Sequence, residues 1–176
     1  MRVDLYRLVH KAQRFHLFSF ALDLSRSDLT LPGEQQRIAN EVRHIVDTMR
    51  DHAHNEETYI HPLLTRVDQR ASDSLEHSHQ SFEHELEHIV EIVDRGDWNA
   101  LYPAMMRFIG EYLLHIDHEE NTQRDILWTR YTDEELGEVL ARFRAERSPE
   151  KAEADMAMML PALNPFERSQ ITAART

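Results

Sequence analysis

Residues 38–63, IANEVRHIVDTMRDHAHNEETYIHPL, decide the fold. Steps of alternately four and three residues through this stretch visit Ile38, Val42, Ile45, Met49, His52, Glu56, Tyr59 and Leu63. That spacing is the seam of a helix with one face buried against neighbouring helices. The stripe is apolar until His52 and Glu56, which stand four apart and share one face of the helix. A carboxylate and an imidazole in a core seam need partners, because burial without them is costly.

The same seam recurs three times. Tyr6, His10, Gln13, Leu17, Phe20 and Leu24 form one stripe, and Leu75, His79, Phe82, Leu86, Ile89 and Val93 another. Leu101, Met105, Phe108, Tyr112, His115, Glu119, Thr122 and Ile126 form the last, again with a His and a Glu four apart. Punctuation separates the segments. A first helix is expected over 3–25, ending at the loop SRSDLTLPGE. A second is expected over 34–67, a third from Ser72 or Asp73 to Arg95 with Gly96 as its stop, and a fourth from Asp97 or Trp98 to about Trp128. Thr132 and Glu135 read as a capping box for a short fifth helix, Ser148 and Pro149 start a sixth, and Pro161 and Pro165 leave the tail irregular.

The expected fold is therefore all-α: an up-down-up-down four-helix bundle with two short additional C-terminal helices. Residues 1–131 would form the bundle. Residues 132–176 would form a helical extension packing on the bundle or on a partner subunit, so a homodimer contact stays open. The absence of cysteine excludes disulfides and thiolate metal sites. A net charge of −12 argues against nucleic acid and anionic membranes as partners. No apolar run approaches the roughly 20 residues of a bilayer span. The charged N-terminal stretch MRVDLYRLVHKAQRFHLF lacks the apolar core of a leader, so a soluble cytoplasmic protein is expected.

Each of the four seams carries one histidine, and in an antiparallel bundle their depths agree. His10 and His79 lie about 15 and 16 residues before their helix ends, and His52 and His115 about 18 and 17 after their helix starts. At about 1.5 Å per residue, all four fall within roughly one turn of a common level. With Glu56 and Glu119 they make six polar side chains at one depth. A multivalent cation satisfies them together, because imidazole nitrogen and carboxylate oxygen suit iron, zinc and manganese. Carboxylates on opposite helices can bridge two metals, with histidines as terminal ligands.

The pattern His10, His52-x3-Glu56, His79, His115-x3-Glu119 resembles the hemerythrin-like, or HHE cation-binding, domains. HAHNEETYIHPLL is similar to that family's second-helix signature and LLHIDHEE to its fourth, over about residues 5–130. The resemblance implies a non-haem diiron centre bridged by Glu56 and Glu119, with His10, His52, His79 and His115 as terminal ligands. It implies a binding protein more than an enzyme, working in oxygen, nitric oxide or redox sensing or in iron handling. The alternatives are a diiron enzyme that reduces oxygen or peroxide or repairs nitrosative damage, and a structural bundle with zinc or no metal. One position departs from the oxygen-carrying members: where they place a fifth histidine, one turn before the third-helix ligand, this chain has Leu75. Reversible oxygen carriage is accordingly not expected.

Other residues stand near the seam. His54, His61, His77 and His118 are alternative ligands or groups behind the ligands, with solvated surface histidines as the competing reading. Tyr59 and Tyr112, one turn from expected ligands, either donate hydrogen bonds to the centre or simply pack. His16 reads as structural, and His44, His84 and His88 as solvated.

Overall fold

The structure, a computed structural model, describes residues 2–173; positions 174–176 of the expected extension lie outside the described residues. Helices and the turns between them make up the described residues, with no strand among them. Among the described residues, no helix is long and apolar enough to cross a membrane. The chain divides into two compact units, residues 1–18 with 131–176, and residues 19–130.

Helix α1 spans Arg7–Leu24. It starts later than the pattern suggests because Asp4 caps it, its Oδ1 accepting from the amides of Tyr6 (3.1 Å) and Arg7 (2.9 Å). In the first unit α7 (Asp133–Glu146) opens on the expected capping box between Thr132 and Glu135, and α8 (Pro149–Met159) on Ser148. The expected irregular tail is instead a short 3-10 turn, Leu160–Ala162, followed by a further helix, α9 (Pro165–Ala173). Pro165 takes a first-turn position, where its missing N–H costs nothing. Asn164 and Glu167 form a reciprocal cap, Asn164 N–H donating to Glu167 Oε2 (2.9 Å) and Glu167 N–H to Asn164 Oδ1 (3.0 Å). Two contacts tie this segment to the first half of α1: Lys11 Nζ donates to Glu167 Oε2 at 2.6 Å, and His16 Nε2 donates to the Met158 carbonyl at 2.8 Å.

The second unit holds α2 (Pro32–Tyr59), α3 (His61–Val67), α4 (Gln69–Asp94) and α5 (Trp98–Thr122), which continues through a π-helical turn, Gln123–Leu127, into α6 (Trp128–Arg130). The expected single helix over 34–67 is two helices. Pro62 has no N–H to donate to the carbonyl four residues back, so Leu63 N–H bonds the Ile60 carbonyl instead (2.9 Å). Ile60 sits at φ −106°, ψ −48°, and beyond it the buried stripe moves on by one residue. Tyr59 and Leu63 become half-buried while Ile60, His61 and Leu64 are buried.

Helix α4 ends as expected at Gly96, whose φ of 68° is the left-handed stop after a helix. The two closing bonds are present, Gly96 N–H to Val93 O and Asp97 N–H to Ile92 O, each 3.0 Å. Helices α2 and α4 run antiparallel: Arg43 bonds Asp94 (2.7 Å) while Arg50, one heptad on, bonds Glu83 (2.9 and 3.0 Å). Helices α4 and α5 do the same, His79 facing His115 while Phe82 faces Phe108 and Tyr112. Ile38, Val42, Leu75, Leu101, Phe108 and Ile116 on these helices are wholly buried. This packing brings the polar parts of three seams to one level.

Candidate metal centre

Five of the expected ligands belong to the second unit, and they meet. Helical spacing within α2 brings His52 Nε2 to 2.9 Å from Glu56 Oε1, and within α5 His115 Nε2 to 3.0 Å from Glu119 Oε1. From α4, His79 enters between the two carboxylates, its Nε2 3.4 Å from Glu56 Oε2 and 3.3 Å from Glu119 Oε1. Glu56 and Glu119 are 2 % and 0 % exposed, too deep for water to supply their counter-charge. Donor atoms of Glu56, His79, His115 and Glu119 all lie within 4.8 Å of one another, and so do donor atoms of His52, Glu56 and Glu119. Both carboxylates are thus shared by two groups of donors. His10, on α1, is fully buried, its ring stacked on Tyr6 with centroids 5.0 Å apart.

The electrostatics favour a cation. Burial by itself would push the His79 imidazole down, but hydrogen bonds to Glu119 and Glu56, and the charges of both, raise it to about 10. In the absence of metal His79 is therefore protonated and supplies positive charge between the carboxylates. Its other nitrogen, Nδ1, donates to Glu57 Oε1 at 3.1 Å, which orients Nε2 toward the cluster. Glu57 is a group the sequence reading missed. Nothing in the pattern separates it from other acidic residues on the outer face of a helix.

The remaining candidates divide clearly. His54, His77 and His118 are exposed, as are His44, His84 and His88. Tyr59 is half-buried, and Tyr112 is buried with its ring stacked on Phe108 at 5.6 Å. His61 is buried and stacks on His79, with ring centroids 5.1 Å apart and planes at 24°. Burial, and then the positive charge on His79, push the His61 imidazole down, against the pull of Glu56, Glu119 and Glu57. Gln123, also buried, follows Glu119 by one turn in the π-helical segment. Such local widening often accompanies functional sites.

A cavity of about 30 Å³ adjoins the cluster. It is lined by His52, His79 and His115 together with Met49, Phe82, Leu86, Phe108 and Tyr112, and by the exposed ion pair of Arg50 with Glu83. That is room for about one water-sized molecule. A larger open groove of about 500 Å³ along α4 and α5 is lined by His84, Glu85, His88 and Arg107 but by none of the buried donors. Of the two, the small cavity is the one lined by the buried donors.

The donor set tests well against a metal. It consists of carboxylate oxygens and imidazole nitrogens without thiolate, gathered at one depth and already drawing in positive charge. Among known proteins, a family model described as the hemerythrin HHE cation binding domain matches residues 2–123. No curated protein and no solved structure matches the chain.

Proposed function

Since the chain belongs to the hemerythrin HHE cation-binding domain family, we propose that its buried cluster is a non-haem diiron centre that binds a diatomic ligand such as oxygen or nitric oxide. In this reading Glu56 and Glu119 bridge the metals, His79 and His115 are terminal ligands to one, and His52 and His10 to the other. The up-down-up-down order of four helices carrying them is part of the same proposal. The observation that carries it is the sharing of both carboxylates by two donor groups.

When bound, the irons would supply redox electrons and a coordination position for the diatomic ligand. The chain's own residues do the rest. Helical spacing fixes each His with its Glu, and Glu57 holds His79 in the tautomer that presents Nε2. Phe82, Phe108 and Met49 keep the adjoining cavity apolar and small, which supports a ligand of two atoms over an organic substrate. The contacts of α8 and α9 with Lys11 and His16 support a C-terminal extension that covers its own chain.

Metal analysis and an optical spectrum of protein purified without chelator test the proposal. Two irons per chain and near-ultraviolet charge-transfer bands, perturbed on adding nitric oxide to the reduced form, are expected. One zinc per chain, or iron whose spectrum ignores nitric oxide, would refute it.

A further inference from the structure

We propose that His61 supplies a further imidazole to the metal held by His79 and His115, entering from the start of α3 where Leu75 of α4 offers no donor. The proposal rests on reading the cluster as a metal centre. It adds a ligand that does not come from the two His-x3-Glu pairs or from the third-helix seam.

Three observations lead to it. First, the break at Pro62 is what turns His61 inward. A continuous helix would keep Tyr59 and Leu63 on the seam, whereas the turn at Ile60 buries His61 to 6 % exposure. Second, its Nε2 is buried and has no hydrogen-bond partner among the described residues. An orphaned imidazole nitrogen beside two carboxylates is a cost the chain would shed by any apolar residue, unless the nitrogen meets a partner from outside the chain. Third, the His61 ring lies 5.1 Å from the His79 ring, and the His115 ring lies 5.0 Å from the same ring on another side. The His61 and His115 rings thus flank His79, the ring that enters between the two carboxylates.

Leu75 adds no donor from α4. It precedes His79 by one turn on α4 and is fully buried, so α4 brings a single imidazole to the centre. Helix α3 packs on α4, which brings its first residue against the His79 ring. His61 lies outside the groups whose donors already converge within 4.8 Å. Ligation therefore asks for a swing of the ring about its own side-chain bonds, and no hydrogen bond at Nε2 opposes it.

The test uses the full chain, freed of metal and titrated with cobalt(II). The visible bands of cobalt report coordination, and competition with a chelator reports affinity. Wild type, His61→Gln, Leu75→His with His61→Gln, and Glu56→Ala are compared, each first checked for helical content by circular dichroism. For His61→Gln the expected result is two cobalt ions per chain, one bound at least about tenfold more weakly, with altered bands. The double variant, with an imidazole restored from α4, should recover affinity and a spectrum close to wild type. Unchanged affinity and bands in His61→Gln would overturn the proposal, as would weakened binding with unchanged bands, which marks a group acting behind the ligands. Failure of Glu56→Ala to lose cobalt would instead overturn the metal-centre reading itself.

Discussion

Buried charge is handled in opposite ways in the two units. In the unit of residues 1–18 and 131–176, opposite charges meet: Arg147 donates to both oxygens of Asp155 at 2.8 and 2.7 Å, and Lys11 reaches Glu167 at 2.6 Å. In the unit of residues 19–130, two carboxylates face each other across imidazoles, and His79 must hold a proton between them. The first arrangement is complete within the chain. The second gathers two carboxylates and three imidazoles around one space, an arrangement that a multivalent cation would complete.

The sharpest way to break that comparison is to remove one carboxylate from the cluster. Glu56→Ala or Glu119→Ala is expected to lose at least one metal per chain, while His84→Ala and His88→Ala, both on exposed positions, keep full loading. Elemental analysis after gel filtration reads this directly. Equal loss in both sets would mean that the buried cluster is not the metal site.

Removing the metal tests the same contrast without mutation. The metal-free protein is expected to stay helical, because most of the core around Ile38, Leu75, Leu101 and Phe108 is ordinary apolar packing. It should nevertheless be less stable, since metal binds only the native cluster. Linkage gives about 4 kcal/mol at a free metal concentration a thousandfold above Kd. Thermal melts with and without iron measure it, and a metal-free chain without helical signal would place folding itself under metal control.

The site was far more legible in the sequence than its surroundings, for a physical reason. A three-four repeat records which face of a helix is buried, so all four seams were readable, and five of their six polar members converge within the unit they share. What the repeat cannot record is a change of phase. Pro62 shifts the stripe from Leu63 to Leu64, and His61 moved from the flank to the interior with it. Caps act over two or three residues and were read only where their pairs were familiar. Thr132 with Glu135 marks its cap in the sequence, whereas Asp4 and the pair Asn164 with Glu167 carry no such signature, so the repeat places the start of α1 too early and gives no sign of α9. Glu57 shows the other limit. It acts through contact with His79, 22 residues away, and no local pattern marks that partnership.

The edge of the cavity gives a smaller effect. Arg50 and Glu83 join α2 to α4 there, and both are about 40 % exposed. Arg50→Ala should cost less than about 1 kcal/mol, the range of exposed pairs. It should speed nitric oxide binding to the reduced protein severalfold by uncovering the cavity. Stopped-flow rates compared with urea melts separate the two effects, and an unchanged rate would show that ligands enter elsewhere.

On the other side of the comparison, Asp155→Ala leaves the Arg147 guanidinium, 9 % exposed, without its bidentate partner. A loss of about 1–2 kcal/mol is expected, below the 3–5 typical of fully buried pairs because Asp155 itself is 27 % exposed. Metal content should not change, which a melt and a metal assay on the same sample decide.

The smallest effect is a pH dependence confined to the first unit. Hydrogen bonding to Lys11, and then to the Asn164 amide, holds the Glu167 carboxyl below its ordinary value of 4.5. A carboxyl whose folded pKa is depressed contributes stability that is present above the unfolded value and is lost as pH falls through the folded one. Wild type should therefore lose part of its stability below pH 4.5 that Glu167→Gln does not lose, since glutamine stays neutral throughout. The difference should stay under about 1 kcal/mol, because Lys11 is more than a third exposed and solvent screens the pair. Comparing the two proteins as a difference removes the acid titration of Glu56, Glu119 and every other shared carboxylate. Urea midpoints of metal-free protein from pH 3 to 7 give the curve. Parallel profiles would show that the charge of Glu167 adds nothing to the stability of the first unit, through Lys11 or through the cap of α9.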